Sequence, residues 1–217
     1  MILNKLWQPF CGISHAVGAL LSVAALIALL IAAKGRASYV AAFSVYGATL
    51  IILYSASALY HSLHAGERLR GWLQRMDYVS IFLLIAGTYT PLCVLTLRGP
   101  RGWAMLAAEW TMALAGILLI FFWRNAPHWP RVFLYISMGW LAVLAWPQLR
   151  AALPTAALYW LIAGGLAYTG GTVIYATDRP HLWPGKFSAH DLWHIFVMTG
   201  SVCHFVLVLA FIANAGR

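Results

Sequence analysis

The stretch Cys11–Ala33, CGISHAVGALLSVAALIALLIAA, decides the fold, because it is a continuous run of 23 residues without a charged side chain. A bilayer core about 30 Å thick is crossed by roughly 20 helical residues, so this run is long enough to span it. Its apolar residues are continuous and do not alternate with polar ones, which favours a helix over a barrel strand. The run therefore predicts a transmembrane α-helix.

Six further segments of the same character follow, at Tyr39–Leu63, Tyr78–Leu97, Gly102–Trp123, Val132–Pro147, Thr155–Ala176 and His190–Ala213. The fifth of the seven is short and ends at Trp146-Pro147. Because six spans follow the first one, we expect it to be retained and not cleaved as a signal peptide. The connections leave no room for a soluble domain. We therefore predict an all-α membrane protein, with residues 1–217 forming a single seven-helix transmembrane domain.

The composition supports this class, since 63% of the residues are hydrophobic and only 9% are charged. A soluble domain carries roughly 25% charged residues. The net charge of +9 does not indicate nucleic-acid binding, because the basic residues are spread over the helix ends, as in proteins that orient themselves in a membrane. With a cytoplasmic N-terminus, the inner side holds Lys5, Arg68, Arg70, Arg75, Arg124, Arg131, Arg179 and Lys186, and the outer side holds Lys34, Arg36, Arg98, Arg101, Arg150 and Arg217. This bias of eight to six favours a cytoplasmic N-terminus.

Successive helix ends alternate between the two membrane faces, and this alternation puts the chemically useful side chains on one face. That face receives His61 from the end of the second span, Asp77 from the start of the third, and His190 and His194 from the start of the seventh. His15 lies near the same face. This clustering holds whichever way the protein is inserted.

His190 and His194 form an HxxxH pair, one turn apart on one helical face and about 6 Å apart along the axis. Two imidazoles at that spacing can chelate one zinc ion, although two polar residues at a wet helix end are an equally good interpretation of the pair alone. His61, at the matching depth, completes three imidazoles, the ligand set of a catalytic zinc site with one open position. His15 is the alternative ligand.

Asp77 is a carboxylate at a membrane boundary, which is costly unless it is paired or associated with a metal. It suits a general base that takes a proton from water, or alternatively a partner of Arg75 or a favourable charge at a helix start. Ser57 lies one turn before His61 and can hydrogen-bond a reacting oxygen, although serine in membrane helices usually bonds its own backbone.

The remaining features are assigned to architecture. Cys11, Cys93 and Cys203 have no ligand spacing, which argues against a disulfide framework and a thiolate metal site and favours packing roles. His204, with Ser201, is expected deeper in the seventh span as a polar cavity wall. The helix should break near Gly87 and Pro91, with Thr88 on the face of Asp77. Loop histidines are His64, His128 and His181, and a small-residue seam is expected at Ala163, Ala167 and Gly171.

Four segments resemble the hemolysin III family, the bacterial branch of the progestin and adipoQ receptors, which is grouped with the alkaline ceramidases. They are Ser57-Ala58-Leu59-Tyr60-His61, Asp77 leading into Ala86–Pro91, Gly165–Tyr175, and His190-Asp191-Leu192-Trp193-His194-Ile195-Phe196-Val197 followed by His204-Phe205. The resemblance covers nearly the whole chain, with the motifs in the same order. Tyr78 departs from it, since this position is often histidine in bacterial members.

The resemblance implies seven transmembrane helices with a cytoplasmic N-terminus, in a bacterial inner membrane. It also implies zinc bound near the cytoplasmic face by His61, His190 and His194, with Asp77 and Ser57 as the catalytic aspartate and serine. The long N-terminal domain of the eukaryotic receptors does not occur in the sequence, so we do not expect hormone-receptor function.

Three functions follow as hypotheses. The first is a zinc-dependent hydrolase acting on a lipid-like amide or ester, with membrane lipid as its partner. The second is a non-enzymatic sensor or regulator of the membrane that uses zinc to clamp helices. The third is a pore-forming haemolysin, which is disfavoured because no span has a continuous hydrophilic stripe.

Overall fold

The computed structural model describes residues 8–123, 126–180, 182–183 and 186–215. Seven helices in these ranges are long and apolar enough to cross a membrane: α1 (Pro9–Ala33), α2 (Ala37–Ser62), α3 (Glu67–Leu97), α4 (Gly99–Phe122), α5 (His128–Ala152), α6 (Thr155–Thr177) and α7 (Ala189–Ile212). The same ranges contain no β-strand, only one isolated bridge between Trp183 and Phe187. Helices satisfy every backbone amide within their own segment, as lipid requires. The prediction of an all-α, seven-helix membrane protein is confirmed.

The helices pack in chain order and then close into a ring. Each of α1 to α4 contacts its neighbour, α5 contacts α3, α4 and α6, α6 packs along α7, and α7 returns to α1. The central helices α2 and α3 are the most buried, whereas α1 and α5 expose most of their surface. Side chains from both ends of the chain can therefore meet in the interior.

Helix α3 begins at Glu67, eleven residues before the predicted start at Tyr78. Its first turns carry charged residues, so they extend the helix beyond the apolar part that a hydropathy sweep detects. Asp77 therefore lies inside a helix and not at its start. The break expected near Gly87 and Pro91 takes the form of a π-helical turn at Leu92–Leu97, because proline has no N–H for the regular ladder.

Helix α5 is interrupted. It runs as an α-helix from His128 to Gly139, tightens into a 3₁₀ turn over Leu141–Ala145, and resumes over Trp146–Ala152. The span was predicted to end at Pro147, but this proline sits in the first turn of the last segment, where its missing N–H costs nothing. Arg131, predicted to lie in a connection, is inside this helix and buried.

The close approach of α6 to α7 is one residue out of register with the predicted seam. Gly171 does face Trp193 and Phe196, but Gly164, and not the exposed Ala163, packs against His204. Some predictions lie outside the described residues, namely the charges Lys5, Arg124 and Arg217 and the loop histidine His181.

Candidate metal centre

Three of the predicted site histidines lie together in the bundle. His61 is in the last turn of α2, and His190 and His194 are in the first two turns of α7. The ring centroids of His61 lie 5.1 Å from His190 and 4.8 Å from His194, and those of His190 and His194 are 4.9 Å apart. His61 and His194 are almost completely buried.

The start of α7 is fixed by a capping box. The Ser188 side chain accepts a hydrogen bond from the Asp191 amide at 3.1 Å, and the Asp191 carboxylate accepts one from the Ser188 amide at 2.7 Å. These bonds satisfy amides that a helix start leaves free, and they set the direction in which the first turn leaves the membrane surface. His190 and His194 are thereby aimed at α2.

The nitrogen positions fit one cation. The Nε2 atoms of His190 and His194 are 3.3 Å apart, and two ligands of a tetrahedral zinc ion with bonds of 2.0–2.1 Å stand about 3.4 Å apart. His61 Nε2 is buried without a hydrogen-bond partner among the described residues, while its Nδ1 donates to Gln8 Oε1. A metal-binding histidine is usually held in this way, with one nitrogen bonded to an outer partner and the other left for the ion.

Cys11 joins this cluster, which the interpretation of all three cysteines as packing residues did not predict. One ligand atom each from Cys11, His61, His190 and His194 lies within 4.8 Å of the others. All three cysteines are free thiols. Cys11 and His15 form a CxxxH pair on one face of α1, which was the signal available in the sequence. Gln8 immediately precedes this helix, and nothing in its residue type marked it.

Asp77 and Ser57 lie beside the histidines. The Asp77 carboxylate is 3.9 Å from His61 Nε2, and the Ser57 side chain is placed to hydrogen-bond it. Arg131 is close enough to interact electrostatically with Asp77. The predicted alternative partner Arg75 faces the Trp72 ring. The buried carboxylate thus adjoins nitrogen ligands on one side and a hydroxyl on the other.

A cavity of about 100 Å³ leads from Asp77 and Ser57 into the bundle. Its wall is apolar apart from a few hydroxyl and imidazole groups, including Thr88, which faces the cavity with Asp77 as predicted. His204 lines the far end, and its Nε2 lies 3.4 Å from the Leu161 carbonyl oxygen. Residues of α5 and α6 line this cavity as well as those of α2, α3 and α7. An apolar chain with one polar end suits this lining.

The other histidines have different surroundings. The His15 ring lies 3.9 Å from that of His194 and packs edge-on against Tyr54, so it supports a ligand without belonging to the group of four. His128 is at the start of α5, 2.8 Å from the Arg131 guanidinium. A further buried carboxyl, Glu109 in α4, has no hydrogen-bond partner among the described residues. Glu109 does not belong to the cluster.

Comparison with known proteins gives one consistent relationship. A family model described as "Haemolysin-III related" matches residues 7–205. Hemolysin-3 of Bacillus cereus is 40% identical over 202 residues, which cover 92% of this chain and 89% of that protein. Hemolysin-3 homolog of Bacillus subtilis is 36% identical over 199 residues, with 91% and 90% coverage. The rice heptahelical transmembrane protein ADIPOR1 is 25% identical over 187 residues, covering 76% of this chain and 48% of its own length.

Proposed function

The chain belongs to the haemolysin-III related family of membrane proteins, and from that premise we propose that it is a zinc-dependent hydrolase of a lipid-like amide or ester. One observation carries the proposal: three histidines with converging nitrogens adjoin a buried carboxylate at the mouth of an apolar cavity. Three imidazoles suit zinc better than a hard cation. The protein works in the bacterial inner membrane with its N-terminus in the cytoplasm, which puts the cluster near the cytoplasmic face.

His61, His190 and His194 hold the ion. When bound, it supplies a Lewis acid that polarises a carbonyl and makes water more acidic. Asp77 takes the proton of the attacking water and returns it to the leaving amine or alcohol. The Ser57 hydroxyl bonds the Asp77 carboxylate in the resting site, and its one proton turns to the carbonyl oxygen as negative charge develops there. The apolar cavity holds the lipid chain, which enters sideways from the bilayer, and keeps bulk water away from the reacting carbonyl.

Replacing Asp77 with Asn tests the hydrolase directly. Asn keeps the size and removes the base, so we expect zinc content and fold to persist while turnover falls about 10²–10⁴-fold, the usual contribution of general base catalysis. Membrane lipids and free fatty acids are compared between cells expressing wild type and Asp77→Asn, with zinc measured in the purified proteins. Glu109→Gln, the same change of acid to amide at a buried carboxyl outside the cluster, is the matched control. Identical lipid profiles for wild type and Asp77→Asn would contradict the hydrolase.

A zinc-clamped sensor is the second candidate, because the histidines come from α2 and α7, which are five helices apart in the chain. A sensor depends on the clamp and not on the base. His61→Ala would then abolish function, and Asp77→Asn would be silent. The hydrolase requires both variants to be inactive.

A further inference from the structure

Three residues at the start of the chain approach the histidines from one side. Cys11 and His15 lie one turn apart on one face of α1, and Gln8 immediately precedes this helix. Gln8 bonds His61, and the ring of His15 lies on that of His194. Cys11 sits between them and is 1% exposed. The contacts of Gln8 and His15, one on each side of Cys11 in the chain, therefore hold its thiol against the cluster.

Close packing of α1 on α2 keeps this face in place. The backbone N–H of Gln8 donates to the backbone carbonyl oxygen of His61 at 2.9 Å, which ties the start of α1 to the end of α2. Gly12 follows Cys11, and a side chain there would collide with Ser62. The position of Cys11 relative to His61 is thus set by backbone contacts as well as by side chains.

We propose that the Cys11 thiol is the fourth ligand of the metal in its resting state and closes the site to water. The inference rests on the proposed binding of zinc by the three histidines. A ligand set of one cysteine and three histidines is a closed site, whereas three histidines alone leave one position for substrate or water. Cys11 and the reacting water then compete for the same position.

The geometry allows this bond with little movement. With zinc bonds of about 2.3 Å to sulfur and 2.0–2.1 Å to nitrogen, a tetrahedral site places sulfur and nitrogen about 3.6 Å apart. The four ligand atoms already lie within 4.8 Å of one another. The largest of these separations therefore exceeds the ideal value by roughly 1 Å, which small rotations about the side-chain torsions of the ligands can supply.

Asp191 provides the alternative position of the thiol and a route for its proton. Cys11 Sγ donates to Asp191 Oδ1 at 3.1 Å, and Asp191 is only partly buried, at the start of α7. On coordination, the S–H bond is replaced by an S–metal bond, and the proton passes through the Asp191 carboxylate to solvent. On opening, the same proton returns and the thiol again bonds Asp191. No oxidant or reductant takes part.

X-ray absorption at the zinc edge tests the bond without an activity assay. We expect purified full-length protein loaded with one equivalent of zinc to show one sulfur neighbour at about 2.3 Å with nitrogen at 2.0–2.1 Å. Cys11→Ser should retain zinc and lose the sulfur signal, and the matched control Cys203→Ser should keep it. Chelator competition should show weaker zinc binding by Cys11→Ser, by about tenfold or more.

The outcomes separate this inference from the proposed function. Wild-type protein that binds zinc through nitrogen and oxygen alone overturns the role of Cys11 and leaves the three-histidine site standing. A sulfur signal that persists in Cys11→Ser also overturns it. Protein that binds no zinc overturns both proposals. Because the wild-type spectrum alone decides the first case, a variant that fails to fold does not obscure the result.

Discussion

The two ring nitrogens of His61 have different surroundings. Nδ1 donates to the Gln8 side-chain oxygen, which leaves Nε2 as the atom with a free lone pair. Nε2 is buried without a hydrogen-bond partner in the described part of the chain and lies 3.9 Å from the Asp77 carboxylate. A buried nitrogen of this kind is costly unless something binds it. Gln8 thus selects the form of His61 that can hold a cation.

Gln8→Leu should therefore weaken metal binding without removing a ligand. Loss of an outer partner of a metal-binding histidine typically lowers affinity about 10–100-fold, and we expect a decrease in that range. Gln8→Glu, which keeps the acceptor, should restore binding. Competition with a zinc chelator measures the affinity.

Gln74→Leu is the control for the Gln8 variants, because Gln74 bonds the hydroxyl groups of Tyr60 and Tyr78 and does not contact the histidines. An equal loss of affinity in Gln74→Leu would mean that the Gln8 effect is a general loss of structure.

At the scale of residues, spacing and the alternation of helix ends pointed to His61, His190, His194 and Asp77, and the family resemblance supported Ser57; the structure brings these side chains together. Cys11 was not named in this way, although its CxxxH spacing with His15 was visible, and Gln8 carried no signal. Their role depends on the rotation of α1 about its axis, which follows from packing against α2 and α7. Asp191, the acceptor for Cys11, is 180 residues away in the chain.

Among the helices, α3 and α4 approach each other closely where a glycine faces an aromatic ring. A side chain at Gly116 of α4 would collide with the ring of Phe82 in α3. Phe82 is fully buried and packs 4.4 Å from the Tyr135 ring of α5. It cannot move away without disturbing a third helix. Van der Waals packing of this kind drives helix association in membranes.

Gly116→Ala should destabilise the bundle, because overpacking a filled interface costs about 1–3 kcal/mol. In a chain of this size that corresponds to a lower thermal midpoint by roughly 2–4 °C per kcal/mol. The matched control is Gly71→Ala, since nothing lies within 4 Å of a side chain there and alanine favours the helix. Unfolding in detergent is followed by the thermal midpoint. A decrease in Gly71→Ala equal to that in Gly116→Ala would contradict the packing explanation.

The limits of sequence reasoning also differ from helix to helix. A hydropathy sweep detects lipid contact, so it missed the charged first turns of α3, which are helical but lie beyond the apolar stretch. In α5 it stopped at Pro147 because proline usually ends a helix. The 3₁₀ turn before Pro147 allows a new α-helical segment to begin there, and hydropathy does not predict such a turn.

For the whole molecule, the odd number of spans determines which membrane face each end of the helix bundle occupies. Seven crossings place the start of α1 and the end of α7 on opposite faces of the membrane. The proposed metal ligands all come from helix ends on the face where α1 begins. In the proposed function, the orientation of the chain therefore determines which compartment supplies the cation.

We expect a cytoplasmic N-terminus, from the distribution of Lys and Arg over the connections. Alkaline phosphatase, which is active only outside the cytoplasm, should then be active when fused after residue 217. Green fluorescent protein at the same position should be dark in a bacterial host. The connection between α2 and α3 should give the reverse pattern. A fluorescent fusion after residue 217 would place the histidine cluster at the outer face.

The bond between Cys11 and Asp191 has a consequence for biogenesis. A ribosome adding about 5–20 residues per second needs roughly 10–40 s to make the 180 residues between them. During that interval α1 and α2 are already inserted, and the nascent chain carries an unfinished binding site. Only release of the final span completes it. Only a fully synthesised molecule would then retain the cation. Chains whose synthesis stalls would remain metal-free, and membrane proteases could recognise them by this difference.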